Sequence, residues 1–443
     1  MRIQQKSKIP FILYVMILIT LFLVAGVIMY FSLSTTARKT LGTGKNIITL
    51  NGPWKFIVGD DMQYAHSNYD DSRWETIDLT APPEAHDGDV GLSGYVPGWT
   101  AKGHSNYSGY TWYRLKVSLD SLTGNNLALA APPAVDDAYQ LFINGSLSGN
   151  AGNFSGTVPI AYSIQPHMFL LQESVKKEKN ITIAFRVWMS SATLDQGSDV
   201  GGIHIAPTIG EKIDIRKKYR FQWGQTIKGY IVEVILPIMF ILLATTMFLL
   251  NSGRKQTQSC KWFIAALVLL ALVRFNQAVY CWFQIESAHQ YDISTTVILR
   301  PLVLGSWLMA WWEWFQIHQP KWLPKIIAIL TFLYMATTLF ALSWVSNSAI
   351  HTHFQTIADY MRLLFLALML FIIYQGTRKQ GTKDLLVLAA LLLVSIGLFS
   401  KEVSAMHVPG IWFPYGVGVS RTQYVYAAFI FVIYAVLIRK IEK

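Results

Sequence analysis

The feature that most constrains this chain is a set of long apolar runs almost free of charge. A helix needs about 20 consecutive apolar residues to cross a hydrocarbon layer of roughly 30 Å, because backbone polar groups cannot be left unpaired there. One such run, Ile9 to Ala37, carries no charged side chain and follows Arg2, Lys6 and Lys8. It is longer than the apolar core of a secretory signal, and no convincing small-x-small cleavage site follows it. The expectation is an uncleaved anchor helix over 11–33 behind a cytoplasmic N-terminus of 1–10. Seven further runs lie at about 229–251, 260–283, 294–316, 324–346, 355–376, 383–402 and 421–439. The expected fold class is thus a membrane α-helical bundle, one N-terminal anchor plus seven transmembrane helices over 229–443, with a polar domain inserted at 40–220.

The placement of charge gives these runs a direction. Over 443 residues only 14% are charged, and the formal net charge is +11. The basic residues gather beside alternate ends of the apolar runs: Arg254, Lys255 and Lys261, then Lys321 and Lys325, then Arg378, Lys379 and Lys383, then Arg439, Lys440 and Lys443. The connections at 284–293, 347–354 and 403–420 hold no Lys or Arg. Cationic loops stay in the cytosol, so both termini are expected there, in a multi-pass protein of the cytoplasmic membrane, with 40–220 extracytoplasmic. Basic residues used in this way mark lipid as the partner and give no sign of nucleic acid. The run Arg216, Lys217, Lys218, Arg220 and Lys228 breaks the pattern. It closes a long translocated segment, where the charge rule is weak, and contact with headgroups or with the domain itself is expected. Cys260 and Cys281 are the two cysteines, and 40–220 has none, so the inserted domain must be stable without disulfides.

Between residues 46 and 215 short alternating or apolar runs are separated by Gly, Pro, Asn and Asp: Trp54 to Val58, Thr111 to Leu119, Asn126 to Ala131, Tyr139 to Ile143, Ile160 to Ile164 and Ile181 to Met189. Strands at this spacing predict an all-β sandwich. Asn144-Gly145 accepts positive φ cheaply and marks a hairpin. The Gly-, Pro- and Ser-rich stretch 80–110 reads as a long functional loop.

Four motifs appear in order: Leu50-Asn-Gly-Pro-Trp-Lys-Phe, Asp70-Asp-Ser-Arg-Trp-Glu, Gly109-Tyr-Thr-Trp-Tyr-Arg and Asp136-Asp-Ala-Tyr-Gln-Leu-Phe-Ile-Asn-Gly. Together they resemble the sugar-binding jelly-roll domain that precedes the catalytic barrel of β-galactosidases and β-glucuronidases. The resemblance implies a galactose-binding-like sandwich with a carbohydrate or glycan ligand. It also implies that the catalytic carboxylates belong to a separate barrel, for which this chain has no counterpart after residue 220. The aromatics Trp54, Trp74, Trp112 and Tyr113 are expected in the core. Trp99, Tyr107 and Tyr110 flank the long loop and are candidates for stacking on a sugar face. Asn106, Asp136, Asp137 and Asn144 are candidates for hydrogen bonds to its hydroxyls, while turn formation accounts for the same polar residues.

Ionisable residues at membrane depth usually face a partner or a water-filled cavity. Glu233, Arg274, Arg300, Asp359, Arg362, Lys401 and Glu402 all fall toward the outer side and define a candidate polar cluster, with snorkelling as the plainer account of Lys401, Glu402 and Asp359. Glu313 falls toward the inner side. Pro237, Pro301 and the loop from Val408 are expected to kink or break helices. His289, His351, His353 and His407 lack carboxylate or cysteine partners at ligand spacing, so neither a metal nor a cofactor is implied. Trp307, Trp311, Trp312 and Trp314 read as an interfacial belt.

An outer ligand-binding domain joined to seven helices is similar to the bacterial seven-transmembrane receptors with diverse intracellular signalling modules. That resemblance implies a non-catalytic sensory receptor, acting through a separate cytoplasmic signalling partner because the sequence ends at Lys443, with pairing of copies left open. Two alternatives stand beside it. One is an integral membrane enzyme acting on envelope glycans or lipid-linked sugars. The other is a transporter, against which no internal repeat stands out.

Overall fold

The computed structural model describes residues 47–88, 90–120, 122, 126–176, 178–194, 197–251, 257–380, 385–405 and 422–442, with Ile19 and Thr20. Apart from Ile19 and Thr20, the anchor expected over 11–33 lies outside the described residues, as do the loop from Val408, His407, Arg254, Lys255 and Lys383. The chain divides into two units. One is Thr40–Tyr230 with Val279–Gln290, and the other is Met1–Lys39, Ile231–Ala278 and Tyr291–Lys443.

The first unit is built on two ten-residue strands, β4 (Gly109–Ser118) and β10 (Asn180–Met189), which pair antiparallel along their whole length. Both are rich in aromatic and β-branched residues, which fit a pleated, packed surface. β2 (Trp54–Val58) and β3 (Glu75–Ile77) extend the sheet beyond β4, and β7 (Ala138–Ile143) and β8 (Ser146–Ala151) extend it beyond β10, giving the order β3-β2-β4-β10-β7-β8. A second sheet runs β1 (Ile47–Thr49), β12 (Thr208–Glu211), β5 (Leu127–Ala130) and β9 (Met168–Leu170). Phe56, Tyr113, Leu141 and Phe185 of the first sheet share one buried cluster with Leu129 and Ile209 of the second, so the two are layers of a sandwich. The short pair β6 (Val135–Asp136) and β11 (Gly202–Ile203) is a separate ladder, and its Val135 and Ile203 join the same buried cluster.

Period-two alternation decides what the remaining faces carry. On the outer face of the six-stranded sheet Trp112, Phe142 and Ala184 pack with Ala65 and Trp74. Arg114 shares that face, fully buried. It donates to the Asp71 carboxylate at 3.0 Å and to the carbonyls of Tyr64 and His66, which ties the covering segment to the sheet. In β5 the leucines point into the core, whereas Ala128 and Ala130 sit under Ile215 of helix α1 (Lys212–Tyr230). Small residues there let the helix approach. Within the basic run of α1, Lys217 pairs with Asp214 at 2.8 Å. At the β7–β8 hairpin Asn144 and Gly145 adopt φ of 48° and 84°, the backbone that the Asn-Gly pair favours. Ile160 to Ile164 forms no strand. Ile160 makes one isolated bridge to Asn153, and the Ala161 carbonyl accepts from the Ala288 amide.

The second unit is helical. Among the described residues six helices are long and apolar enough to cross a membrane: Lys212–Leu250, Gln258–Trp282, Ala288–Trp314, Leu323–Phe340, Ala349–Lys379 and Thr422–Arg439. They comprise α1 and α2 (Val232–Leu250), α3 (Gln258–Trp282), α4 (Arg300–Trp314, with a π-helical turn Asp292–Leu299 before it), α5 (Leu323–Phe340), α6 (Ser348–Gln380) and α8 (Thr422–Glu442). Where a crossing at 383–402 was expected, the described helix is α7, Leu385–Leu398, of 14 residues. A second helical segment, Ser400–Ala405, follows it, joined through the Phe399 amide on the Ser395 carbonyl and the Val403 amide on the Phe399 carbonyl, and residues 381–384 before it lie outside the described residues. Pro237 lies inside α2, and Pro301 follows the π-helical turn Asp292–Leu299 after Arg300 alone, inside the continuous span Ala288–Trp314.

The expected tryptophan belt is corrected. Trp307 and Trp311 are fully buried, and Phe263 meets them edge-on at 5.3 and 4.9 Å between ring centroids, with Phe429 at 5.4 Å from Trp307. Edge-to-face packing between helices has taken rings that position alone assigned to an interface.

Arg114→Met is expected to leave Asp71 and the carbonyls of Tyr64 and His66 without their donor, at a cost of about 3 to 5 kcal/mol. Tryptophan fluorescence during thermal unfolding measures it, and an unchanged midpoint rules out the proposed tie.

Candidate functional site

The long loop 80–110 is held against the segment 198–205 by a ladder of contacts. The Gly98 amide donates to the Asp199 carbonyl at 2.8 Å, the Trp99 amide to Gly201 at 2.9 Å, and the Val96 amide to His204 at 2.8 Å. The Thr100 hydroxyl donates to the Val200 carbonyl at 2.8 Å. Gly201 and Gly202 have φ of 93° and 89°, and a Cβ on Gly202 would lie 2.1 Å from the Tyr113 hydroxyl. Only glycine fits this approach.

β6 pairs with β11 so that Asp136 faces Gly202, which brings its carboxylate to His204. Asp136 Oδ2 accepts from the Gly201 amide at 2.8 Å and lies 2.9 Å from His204 Nε2. His204 Nδ1 lies 3.0 Å from the Val96 carbonyl. Both ring nitrogens face acceptors, an arrangement satisfied when both carry protons. Burial opposes charge on His204, but the hydrogen bond and charge of Asp136 outweigh it and raise the imidazole above its ordinary value. Asp136 is likewise penalised by burial, and the His204 hydrogen bond and charge carry it below the usual carboxylate range. Tyr95 stacks on the His204 ring at 5.0 Å, and its hydroxyl donates to Asp199 at 3.1 Å. Asp137 points to other partners. It accepts from the Ser190 amide at 2.8 Å and the Thr193 hydroxyl at 2.7 Å, yet burial pushes it up to about 6.

Asp87, Tyr95, Asp136, Asp137 and His204 line a cavity of about 450 Å³. Ala161 to Ile164 form another part of its wall, and Thr226, Tyr230, Tyr280, Cys281 and Ala288 complete it. Asp136 Oδ1 has no partner among the described residues, and the side chain is 29% exposed.

The candidates named from sequence fall in several places. Asp136 and Asp137 line the cavity. Trp99, 1% exposed, lies in the sandwich core with its indole N–H on the Tyr107 carbonyl, and so offers no open face. Tyr107 donates to the Tyr110 carbonyl at 2.6 Å, and Tyr110 carries the Arg186 guanidinium over its ring at 4.1 Å. Asn144 is committed to the hairpin, accepting from the Thr182 amide and donating to Glu178. Asn106 is exposed in a turn. Tyr95, Asp199 and His204 were not singled out from sequence. The signal that could have found them is the Gly201-Gly202 pair, separated from His204 by Ile203 alone, opposite a loop read as functional.

In the helical unit the charged cluster resolves into pairs. Arg274 donates to Glu233 at 2.6 Å and to the Thr422 hydroxyl, with its guanidinium over the Tyr426 ring. Arg362 grips Glu402 through two nitrogens at 2.5 and 2.8 Å. Lys401 and Asp359 form a third, exposed pair at 2.9 Å, while Arg300 is exposed. Among the described residues no group of three His, Cys, Asp or Glu is placed to hold a metal.

No family model matches the chain. A β-glucuronidase of Formosa agariphila is 26% identical over 125 residues, which are 28% of this chain and 12% of that protein. The chain thus spans about an eighth of the curated relative it matches. Solved structures similar to it include a calcium-binding mutant of Bacteroides uniformis β-glucuronidase 2, at 22% identity over 37% of this chain and 17% of that one, with a TM-score of 0.26. Another is a glycosyl hydrolase family 2 member from Bacteroides cellulosilyticus, at 17% identity over 37% and 20%, with a TM-score of 0.25. Over 125 residues the chain is therefore similar to part of a glycoside hydrolase. The expectation of a non-catalytic receptor is overturned by the same finding, because the matched relative is an enzyme. The comparisons supply neither a signalling partner nor an assembly.

The paired His204 and Asp136 give a signed pH prediction. The contribution of His204, whose folded value is raised, is complete below the unfolded value of about 6.5 and is lost as pH rises through the folded one. Asp137, also raised, loses its contribution as pH rises from about 4 through about 6. Asp136, lowered, loses its own only in acid. Thermal midpoints measured from about pH 5 to about pH 9 should fall as pH rises, and His204→Gln should flatten the upper part of that fall. Superimposable profiles would remove the charged pair.

Proposed function

We propose that this chain is a membrane protein of glycan processing, in which the β-rich unit lies outside the cytoplasmic membrane and holds a carbohydrate in the cavity walled by Asp136, Tyr95 and His204. The observation that carries the reading is the relationship to a β-glucuronidase. The outward placement rests on the distribution of Lys and Arg among the short connections.

The cavity has the size of a small-molecule site, for which about 300 to 1,000 Å³ is usual. Its chemistry suits a sugar: a carboxylate anchored through one oxygen, with the other available to hydroxyl donors, beside an aromatic ring. Asp136 and Asp137 are neighbours pushed in opposite directions, one below the usual range and one up to about 6. Glycoside cleavage uses such an asymmetry, with one carboxyl protonated as an acid and the other ionised. In this reading Asp136 binds the sugar and Asp137 protonates the departing glycosidic oxygen, while a water molecule adds to the anomeric carbon and returns a proton to the Asp137 carboxylate. Relay of binding to a cytoplasmic partner has no observation in its favour.

The full chain in detergent is expected to bind β-glucuronides or β-galactosides on a glycan array and to release 4-nitrophenol from the matching aryl glycosides. Asp136→Asn should weaken binding about tenfold or more, the worth of one charge-assisted hydrogen bond. Turnover should fall as pH rises through about 6 and be lost in Asp137→Asn. Absence of both binding and turnover across the panel would sink the proposal.

A further inference from the structure

Part of the cavity wall is made from the ends of helices that are themselves apolar enough to cross a membrane. Tyr230 closes α1, and Val232 begins α2, the apolar part of the span Lys212–Leu250. Tyr280 and Cys281 belong to the last turn of α3, another such span. At about 1.5 Å per helical residue, covalent connection alone holds these side chains within a few ångströms of an apolar helical stretch.

The adjoining surface is apolar where water would be expected. Phe283 is 53% exposed and Ile285 is 74% exposed, both on the segment that runs from Cys281 to Ala288 along the wall. Val158 and Ile160 are also exposed and lead directly into the lining residues Ala161 to Ile164, which the Ala161–Ala288 hydrogen bond fastens to the same segment. Exposed apolar side chains scattered singly need no explanation, but a set beside one cavity marks a contact surface.

We propose that the cavity takes the head group of a lipid-linked sugar, with the sugar against Asp136 and Tyr95 and the hydrocarbon leaving past Cys281 over Phe283 and Ile285. The inference rests on the reading of the cavity as a carbohydrate site and narrows its ligand to a glycolipid. A water-soluble glycan would use the polar half alone, leaving the apolar margin idle. A lipid-linked sugar uses both halves and reaches the cavity from the bilayer.

The test uses the full chain in lipid nanodiscs and two probe series, the methyl and the dodecyl β-glycosides of glucuronic acid, galactose and glucose, with binding read by calorimetry. The expected result is that the dodecyl form of a bound sugar binds at least about tenfold tighter than its methyl form, the effect of burying two methylenes or more. The Phe283→Ser/Ile285→Ser double variant should bring that ratio toward one, while Asp136→Asn weakens both forms together. Equal binding of methyl and dodecyl forms overturns the glycolipid inference and leaves the carbohydrate site standing. A dodecyl preference that persists in the double variant also overturns it, since the gain then comes from partition into the disc. If no glycoside of either series binds, the carbohydrate reading fails and this inference falls with it.

Discussion

The pairing of β10 with β4 on one side and β7 on the other is the interaction on which the β-rich unit depends. Ten consecutive residues of β10 are matched to β4 and six to β7, so one strand fixes the register of its neighbours. A slip by one residue would exchange Phe185 with Arg186 and Tyr113 with Arg114, placing guanidinium groups in the core and aromatic rings outside it. The register also reaches the cavity. β10 ends at Met189, and the next residue, Ser190, donates its amide to Asp137, so the end of the central strand helps to fix one of the carboxyl groups lining the cavity.

Much of this unit was legible because strand periodicity is local. The runs at Trp54, Thr111, Tyr139 and Ile181 announce strands by alternation, and Asn144-Gly145 announces the hairpin by its tolerance of positive φ. The cavity was legible only in part. Its lining comes from segments far apart in the sequence, around residues 87–95, 133–137, 161–164, 204, 226–230 and 280–288, and no local pattern records that they meet. Asp136 and Asp137 stood out because they are adjacent acids in a motif, whereas no motif marks His204. Trp99 was misplaced for a related reason. A ring beside a polar loop is indistinguishable in sequence from one inside the sandwich, and the Gly201 backbone that covers it lies about a hundred residues away along the chain.

The helical unit shows the same division. Apolar length identified the helices, but not which side chains they bring together. Seven ionisable residues that read as one outer polar cluster sort chiefly into separate ion pairs, because a buried guanidinium without a carboxylate is far more costly than one with it. Arg274 and Glu233 are 41 positions apart, and Arg362 and Glu402 are 40 apart, separations that span two helices and that no periodicity foretells. The tryptophans of α4 behave alike: depth along the helix pointed to an interface, while Phe263 and Phe429 on other helices drew the rings inward.

Cys281, a buried cysteine, has a use beyond its place in the wall. The other cysteine, Cys260, belongs to the core of the helical unit. A chain carrying Cys260→Ser would keep a single thiol, located where an occupant of the cavity passes. Its rate of alkylation would then act as a built-in gauge of occupancy, one that needs no attached dye and no foreseen identity for the occupant.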